Sequence, residues 1–266
     1  MKISNIISYL NKYINESPII CVQLGSGLSS FKNKLRNKVE IPYKNIPNFL
    51  TTSVSGHEGN FIYGYLNGVP ILCANGRFHY YEGYTFEQVG SIIQIFKKYR
   101  PKLSIITNSS GCLNLKWNLG EFMIINQFLD FSFINSINTK YFNITKSKDY
   151  YNILKVAKKQ NIILHEGTYT YTTGPAYETK AEIQEIIDLN GHAVGMSTFP
   201  EFLMCKKNKL NSVFIACLTN YGAGLIDNQK INHKDVLRGA KESKSNFEEL
   251  IINIIENIEP QKKQKK

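Results

Sequence analysis

Five short apolar runs, rich in β-branched residues, place the strongest constraint on the fold of this chain. They are "IICVQL" (19–24), "VPILCA" (69–74), "LSIIT" (103–107), "FMIIN" (122–126) and "SVFIACL" (212–218). Segments with helical periodicity alternate with several of them, at roughly 86–99, 149–160, 180–189 and 234–258. Because continuous apolar strands interleaved with helices are typical of a sheet buried on both faces, the pattern predicts an α/β fold.

Polar loops are predicted to follow four of these strands. "NGRFHYYEGY" (75–84) lies between the second strand and a helix whose start carries the capping box Thr85-x-x-Gln88, and Thr179-x-x-Glu182 marks another helix start. The other three loops are "LGSGLSS" (24–30), "NSSGCLN" (108–114) and "TNYGAG" (219–224). Ligands bind at the carboxyl ends of strands in open α/β sheets, so converging loops of this kind would form a site.

The chain has 266 residues, of which 42% are hydrophobic, and no linker or internal repeat divides it. We therefore expect one domain over 1–266, with a disordered basic tail at 260–266. No apolar stretch approaches the roughly 20 residues that span a bilayer. The opening "MKISNIISYLNKYINESP" is too polar for a signal peptide and predicts an amphipathic helix. We expect a cytoplasmic protein with no membrane partner.

The formal net charge of +11 would favour an anionic substrate or a nucleic acid. Many of the lysines lie on predicted helix faces or in the tail, which favours a solvated surface, and no nucleic-acid recognition motif is present. Nucleic acid is therefore not an expected partner. The five cysteines are scattered without a CxxC pair, which predicts buried thiols and no metal site or disulfide.

Two glycine-containing turns are candidate anion sites. In "GSGLSS" (25–30) the glycines permit close backbone approach and Ser26 offers a hydroxyl, but Ser30 replaces the third glycine of a dinucleotide fingerprint. A phosphate loop, a plain turn and a dinucleotide site all remain open for this turn. His57 in "GHEG" (56–59) is either an anion donor or a surface histidine in a hairpin.

Two further stretches place chemically distinct side chains together. Arg77 and His79 project to the same side of an extended backbone, where a guanidinium beside an imidazole suits a phosphate dianion, and Tyr81 continues the alternation. An exposed aromatic loop or an oligomer contact is the alternative. Tyr177 and Glu178 precede the Thr179 cap, where a carboxylate either complements the helix dipole or accepts from a heterocycle stacked on the tyrosine.

Taken in order, these motifs resemble those of the trimeric, low-molecular-mass purine nucleoside phosphorylases over residues 19–240. Seven motifs carry the resemblance: "GSGL" (25–28), "GHEG" (56–59), "GRFHYYEGY" (76–84), "TNSSGCLN" (107–114), "GPAYETKAE" (174–182), "VGMSTFPE" (194–201) and "TN" (219–220). The resemblance implies a three-layer α/β/α sandwich with a mixed, partly barrel-like central sheet. It also implies reversible phosphorolysis of 6-oxopurine nucleosides and deoxynucleosides, such as inosine and guanosine, to free base and pentose 1-phosphate in purine salvage.

The same resemblance implies the roles of individual residues. Phosphate is expected at Ser26, His57, Arg77, His79, the Ser109 backbone N–H and Ser197. Ribose is expected at Tyr81, Met196 and His233, and the base at Ser110, Gly111, Tyr177, Glu178 and Asn220. His79, Glu178, Asn220 and His233 are the expected catalytic group. The family needs no metal or organic cofactor, with inorganic phosphate as co-substrate, and forms homotrimers in which Phe142 is a candidate to reach a neighbouring site.

The exact substrate stays open at this point. Asn220 favours 6-oxopurines, because methylthioadenosine phosphorylases carry Asp there, but a xanthosine-preferring or methylthioadenosine-type phosphorylase and a catalytically silent nucleoside-binding protein remain alternatives. Ser109 and Ser110 replace alanines common in the family, Cys112 replaces a glycine, and Tyr177 replaces phenylalanine. Extra hydroxyls near the base would widen tolerance of purine substituents, so the ranking of inosine, guanosine and xanthosine is not determined.

Overall fold

The apolar runs form the centre of one mixed β-sheet. The computed structural model describes residues 2–52, 58–134, 138–226 and 232–258. Its strands are β1 (Ile20–Leu24), β2 (Arg36–Pro42), β3 (Asn60–Leu66), β4 (Val69–Asn75), β5 (Leu103–Cys112), β6 (Phe122–Asp130), β7 (Lys140–Asn143), β8 (Leu164–Tyr171), β9 (Ala193–Gly195) and β10 (Ser212–Tyr221). Its α-helices are α1 (Ile3–Leu10), α2 (Phe86–Val89), α3 (Ser91–Tyr99), α4 (Lys148–Lys159), α5 (Lys180–Asp188), α6 (Phe199–Lys207), α7 (His233–Glu242) and α8 (Lys244–Ile258).

Part of the sheet closes into a barrel-like ring. The strand order is β10-β6-β8-β9-β5-β1-β4-β3-β2, β7 pairs with β6, and β10 also pairs with β5. This last pairing joins β10, β6, β8, β9 and β5 into a closed circuit. β1 is parallel to β4 and β5, whereas β3 is antiparallel to β4, so the sheet is mixed. The expected mixed, partly barrel-like sheet is therefore confirmed.

Helices cover both faces of the sheet, as the continuous apolar strands predict. Along β1, Cys21 packs into one hydrophobic cluster, which includes α1, α3 and α6. Its neighbours Ile20 and Val22 pack into a second cluster, which includes α4 and α8. This alternation is the period of two expected of a strand, and it confirms the three-layer α/β/α arrangement. All five cysteines are buried free thiols.

Two of the expected loops are in fact strand. β5 continues through Cys112 and β10 through Tyr221, and the two strands stay paired in parallel there: residues 108–110 pair with 216–218, and residues 111–112 pair with 220–221. The polar side chains in these segments suggested that the strands ended earlier. Because the backbone groups of the two segments bond to one another, polar residues are accommodated there without ending the strands.

Two predicted helices are each divided in two. The segment 86–99 breaks at Gly90, whose Cα packs so closely on Met204 that a side chain there would meet it at 3.0 Å. The segment 234–258 breaks at Ser243 into α7 and α8. Both predicted capping boxes are present, since Thr85 accepts from Gln88 N and Thr179 from Glu182 N. The pattern did not reveal α6, β2, β7 or β9.

The amphipathic N-terminal helix is confirmed as α1, which buries Ile6 and Leu10. Across the described ranges, no helix has both the length and the apolar character needed to cross a membrane. The predicted tail at 260–266 and the candidate residue His57 lie outside the described residues.

Candidate active site

A single cleft gathers the sequence-predicted site residues at the carboxyl ends of β1, β4, β5 and β10. All of those within the described residues line it: Ser26, Arg77, His79, Tyr81, Ser109, Ser110, Gly111, Tyr177, Glu178, Met196, Ser197, Asn220 and His233. Val194, Gly195, Gly222, Ala223 and Val236 complete the lining. Residues far apart in sequence therefore share one cleft, as expected where parallel strands end together.

Arg77 forms the buried floor of one end of the cleft. Its guanidinium is 1% exposed, and Nη1 donates to the hydroxyls of Ser197 (2.8 Å) and Thr198 (3.0 Å). Nη2 donates to the carbonyl oxygen of Thr107. The sequence predicted a fork of N–H groups directed at an anion. Most of these donors are instead used to fix the guanidinium, so that Arg77 presents a rigidly held positive charge to the cleft.

His79 is oriented by a carboxylate that the sequence analysis gave no role in binding. Glu82 Oε2 accepts from the backbone N–H of His79 at 2.8 Å and lies 3.2 Å from its Nδ1. The imidazole also stacks on Tyr81, with ring centroids 4.7 Å apart. Burial lowers the pKa of His79, and the bond to Glu82 opposes that shift. The capping-box spacing His79-x-x-Glu82 was the signal for this contact.

The glycine loop after β1 packs directly against β5. A side chain at Gly25 would lie 2.7 Å from Cα of Asn108, and Gly27 has φ of +75°. The Ser109 hydroxyl donates to the backbone oxygen of Ser26 at 2.7 Å. These contacts explain both glycines: the first allows close approach and the second adopts a left-handed backbone. They also hold Ser26 at the cleft.

At the other end of the cleft, Asn220 is held in one orientation. A register shift in β10 lies between Leu218 and Asn220, where the strand pairs with β5. The Asn220 Oδ1 accepts from the Thr219 hydroxyl, and its Nδ2 donates to the Tyr221 backbone oxygen, both at 2.9 Å. One amide hydrogen of Asn220 remains for a ligand in the cleft, because an NH₂ group has two.

Glu178 faces the same end of the cleft from the loop before α5. Its Oε1 accepts from the Thr172 hydroxyl at 2.6 Å, which leaves acceptor capacity on the carboxylate. Burial raises the pKa of Glu178, while the bond from Thr172 opposes the rise. Tyr177 stands beside it at the mouth of the cleft and is 37% exposed. A half-exposed ring in this position can cover a planar ligand that enters the cleft.

The middle of the cleft is walled by Tyr81, Met196 and His233. Gly174 packs between the first two, since a side chain at this glycine would overlap the Met196 sulfur and lie 3.0 Å from the Tyr81 ring. His233 is the first residue of α7, whose start is capped by Asn232 and Asp235. The central wall therefore combines apolar side-chain atoms with a hydroxyl and an imidazole.

Sequence reasoning missed two residues behind the cleft. Thr198, with φ of +73°, accepts hydrogen bonds from both Arg77 and Asn108, and Glu201 lies fully buried 3.5 Å from Arg77 Nε. Both occur in the motif "VGMSTFPE", where a polar residue at a helix start ordinarily indicates only capping. Within the described ranges, no group of three or more His, Cys, Asp or Glu side chains could hold a metal ion.

Phe142, the candidate to reach a neighbouring site, contacts side chains of its own chain. It lies in β7, and its ring packs on Phe199 and Phe202 at centroid distances of 5.2 and 6.3 Å. Lys206 lies over the same ring. These contacts bury Phe142 only partly, so its role toward a second chain stays a prediction.

Comparisons with known proteins agree with this geometry. The phosphorylase superfamily matches residues 19–256 of the chain. Purine nucleoside phosphorylase 1 of Bacillus subtilis is 32% identical over 97% of this chain and 99% of its own length, and that of Geobacillus stearothermophilus is 33% identical over 94% and 95%. The purine nucleoside phosphorylase of Schistosoma mansoni, solved with inosine, has a TM-score of 0.84 and 28% identity, covering 96% of this chain and 95% of that one. The chain belongs to the phosphorylase superfamily and, within it, to the purine nucleoside phosphorylases.

Proposed function

We propose that this protein catalyses the reversible phosphorolysis of 6-oxopurine nucleosides and deoxynucleosides to the free purine and (deoxy)ribose 1-phosphate. One observation carries the proposal: a single cleft has anion donors at one end and an amide beside a carboxylate at the other. A nucleoside bound with its base at the second end would direct its sugar toward the first. The two reactants would then meet in one orientation, which is a large part of catalysis by proximity.

The anion end supplies the nucleophile. Ser26, the Ser109 N–H and Ser197 would bind the phosphate oxygens, with Arg77 and His79 providing charge and direction. Cleavage of the bond between C1′ and N9 places positive charge on the ribose. A phosphate dianion held below the sugar stabilises that charge electrostatically, and one of its oxygens then forms the new bond to C1′ with inversion. The electron pair of the broken bond leaves with the purine.

The base end receives that electron pair. The free amide hydrogen of Asn220 can donate to purine N7 as negative charge develops on the ring. Glu178, when ionised, accepts from N1–H of a 6-oxopurine, and from the 2-amino group of guanine. Adenine carries no hydrogen on N1, so a carboxylate at this position disfavours it. The ribose lies between the two ends, against Tyr81, Met196 and His233.

The relatives support the choice of substrate class. Structures of Schistosoma purine nucleoside phosphorylase contain inosine, guanosine and hypoxanthine, and one contains adenosine. We carry the finer expectations forward from the sequence resemblance: catalysis without a metal or organic cofactor, a homotrimeric assembly, and a cytoplasmic role in purine salvage. Activity after chelation with EDTA and sedimentation in solution test the first two directly.

The test is phosphate-dependent release of base. Purified protein with inosine should release hypoxanthine only when phosphate is added, and ribose 1-phosphate should form in equal amount. Inosine, guanosine, xanthosine, adenosine and methylthioadenosine, compared by kcat/KM at fixed phosphate, then rank the substrates. Release of base without phosphate would contradict phosphorolysis. Binding of inosine without turnover would identify the protein as a nucleoside-binding protein instead.

A further inference from the structure

A buried carboxylate lies behind the anion end of the cleft. Glu201, in the first turn of α6, is 0% exposed, and its Oε1 lies 3.5 Å from Arg77 Nε. The Gln23 side chain donates to the same oxygen at 3.4 Å. Arg77 lines the cleft but Glu201 does not, so the guanidinium separates the carboxylate from the cleft.

The geometry of the ion pair between Arg77 and Glu201 does not favour a stabilising role. Among the described residues, neither Glu201 Oε2 nor Arg77 Nε has a hydrogen-bond partner. Burying two charges costs several kcal/mol per ion, which only near-ideal geometry with satisfied hydrogen bonds repays. An apolar pair of similar size would stabilise the fold as well or better. The presence of a carboxylate at this position therefore points to the electrostatics of the cleft rather than to packing.

The charges around the anion end do not favour a dianion. Among the described residues, four charged or readily titrating groups meet there: Arg77, His79, Glu82 and Glu201. Tyr81 stacks on His79, and the charge of Glu201 acts on Tyr169, Tyr171 and Cys205. Burial raises the pKa of all four of these groups, so they stay uncharged near neutral pH. With a neutral imidazole, the net charge of Arg77, His79, Glu82 and Glu201 is −1. A phosphate dianion therefore needs a further positive charge.

His79 is the group that can supply it. Burial and the positive charge of Arg77 lower the pKa of His79 in the empty site, whereas the hydrogen bond to Glu82 and the negative charges of Glu201 and Glu82 raise it. A dianion placed against the imidazole would add to these negative charges and favour the imidazolium form. Glu201 thus has two effects on the site: it holds Arg77 from behind, and it shifts the proton balance of His79.

We propose that Glu201 is a positioning residue of the phosphate subsite, which cancels the charge of Arg77 so that a bound dianion is balanced by one proton taken up on His79. This inference rests on the proposed function only in taking the arginine end of the cleft as the anion subsite. By linkage, the association constant of a permanent dianion should then fall about tenfold for each pH unit in the range where His79 is neutral in the empty site and protonated in the complex.

Sulfate is the probe, because unlike phosphate it does not change protonation state near neutral pH. Its affinity for the full-length protein is measured by calorimetry from pH 6.5 to 8.5 in phosphate-free buffers, with two buffers of different ionisation enthalpy at each pH to count protons directly. For the wild type we expect log K to fall with a slope of about −1 per pH unit, equal to about one proton taken up per sulfate.

Three variants test which residues cause the pH dependence of sulfate affinity. Glu201→Gln removes the negative charge that favours protonation of His79, so the slope should become shallower than about −0.5. Glu201→Asp keeps the charge and should keep the slope, and a merely structural role would not separate these two variants. His79→Gln should abolish proton uptake. Glu185→Gln, which removes an exposed carboxylate on α5, is the matched control and should behave as the wild type.

Three results would overturn the proposal: a wild-type slope of zero, a slope that persists in His79→Gln, or an unchanged slope in Glu201→Gln. If Glu201→Gln does not fold, the wild type, Glu201→Asp and His79→Gln still test it. Because sulfate binding requires no turnover, absence of phosphorolysis with a slope of −1 would reject the proposed function alone. Phosphorolysis with a slope of zero would reject only the role of Glu201.

Discussion

Replacement of Asn220 by aspartate tests the base end of the cleft most directly. The substitution preserves the size of the side chain and changes one group, since the Nδ2 donor becomes an oxygen. In the wild type Nδ2 donates to the Tyr221 backbone oxygen, and Oδ1 accepts from the Thr219 hydroxyl. The variant keeps the second contact and loses the first. It also loses the remaining amide hydrogen that is proposed to reach purine N7.

The magnitude follows from these two losses. Removing a preorganised donor to a developing negative charge costs about 2.7–4 kcal/mol of transition-state stabilisation, so kcat/KM for inosine should fall at least ~100-fold. The Tyr221 carbonyl oxygen, which is only partly buried, loses its donor, so the free energy of unfolding should decrease by at most the roughly 1–3 kcal/mol of a fully buried unsatisfied group. The KM for phosphate should stay within about twofold, because the anion end is unchanged.

The assay is phosphorolysis of inosine and adenosine by the same preparation, with thermal unfolding alongside. Adenosine should lose less activity than inosine, because a carboxylate can accept from the 6-amino group. Asn257→Asp, the same substitution at an exposed position of α8, is the control and should be neutral. A loss for inosine below about fivefold, or an equal loss for both nucleosides, would refute the assignment of Asn220 to purine N7.

Three further predictions concern the surroundings of the cleft. Ser109→Ala should raise the KM for phosphate about fivefold with kcat for inosine within twofold, because the hydroxyl that holds the Ser26 carbonyl is lost; an unchanged KM would contradict this role. Because burial raises the pKa of Glu178 and the ionised form accepts from the base, kcat/KM for inosine should fall as the pH decreases through that raised pKa. This decrease in kcat/KM at low pH should be absent in Glu178→Gln. A decrease that persisted in the variant would be due to the titration of another group. Gly239→Ala should lower the Tm by about 5 °C, since the new methyl group would overlap the Thr219 carbonyl oxygen, and an unchanged melting curve would show that α7 shifts without cost.

The sequence predicted the fold well where hydrophobic periodicity is decisive. All five apolar runs are strands, and both capping boxes mark helix starts. It failed where local polarity and tertiary pairing disagree. Residues 108–112 and 219–221 look like loops because most of them are small or polar, yet both segments continue the parallel pairing of β5 with β10. Only the closed arrangement of β5 and β10 reveals this, and no local pattern encodes that closure.

The residues that line the site could be predicted from the sequence, but the buried residues that hold them in place could not. Polar side chains at strand ends can be predicted as site residues when several motifs occur together. All of the predicted residues that the structure describes line one cleft. Glu201 gives no such signal, because a glutamate after a proline in the first turn of a helix ordinarily complements the helix dipole. Its significance depends on total burial and on the 3.5 Å distance to Arg77 across 124 positions of sequence (201 − 77). These are properties of the folded chain alone.

The serine hydroxyls expected to differ from the family pattern contact the residues that support the cleft. Ser110 Oγ donates to Asn108 Oδ1, which fixes the amide so that Nδ2 donates to Thr198 Oγ1 at 2.8 Å. Thr198 in turn accepts from Arg77, so one buried network links the base wall to the anion floor. A hydroxyl committed in this way cannot donate to a purine substituent. Within the described residues, no hydrogen bond commits the Tyr177 hydroxyl, which can still donate to a substituted purine, so Tyr177→Phe should change the substrate ranking more than Ser110→Ala.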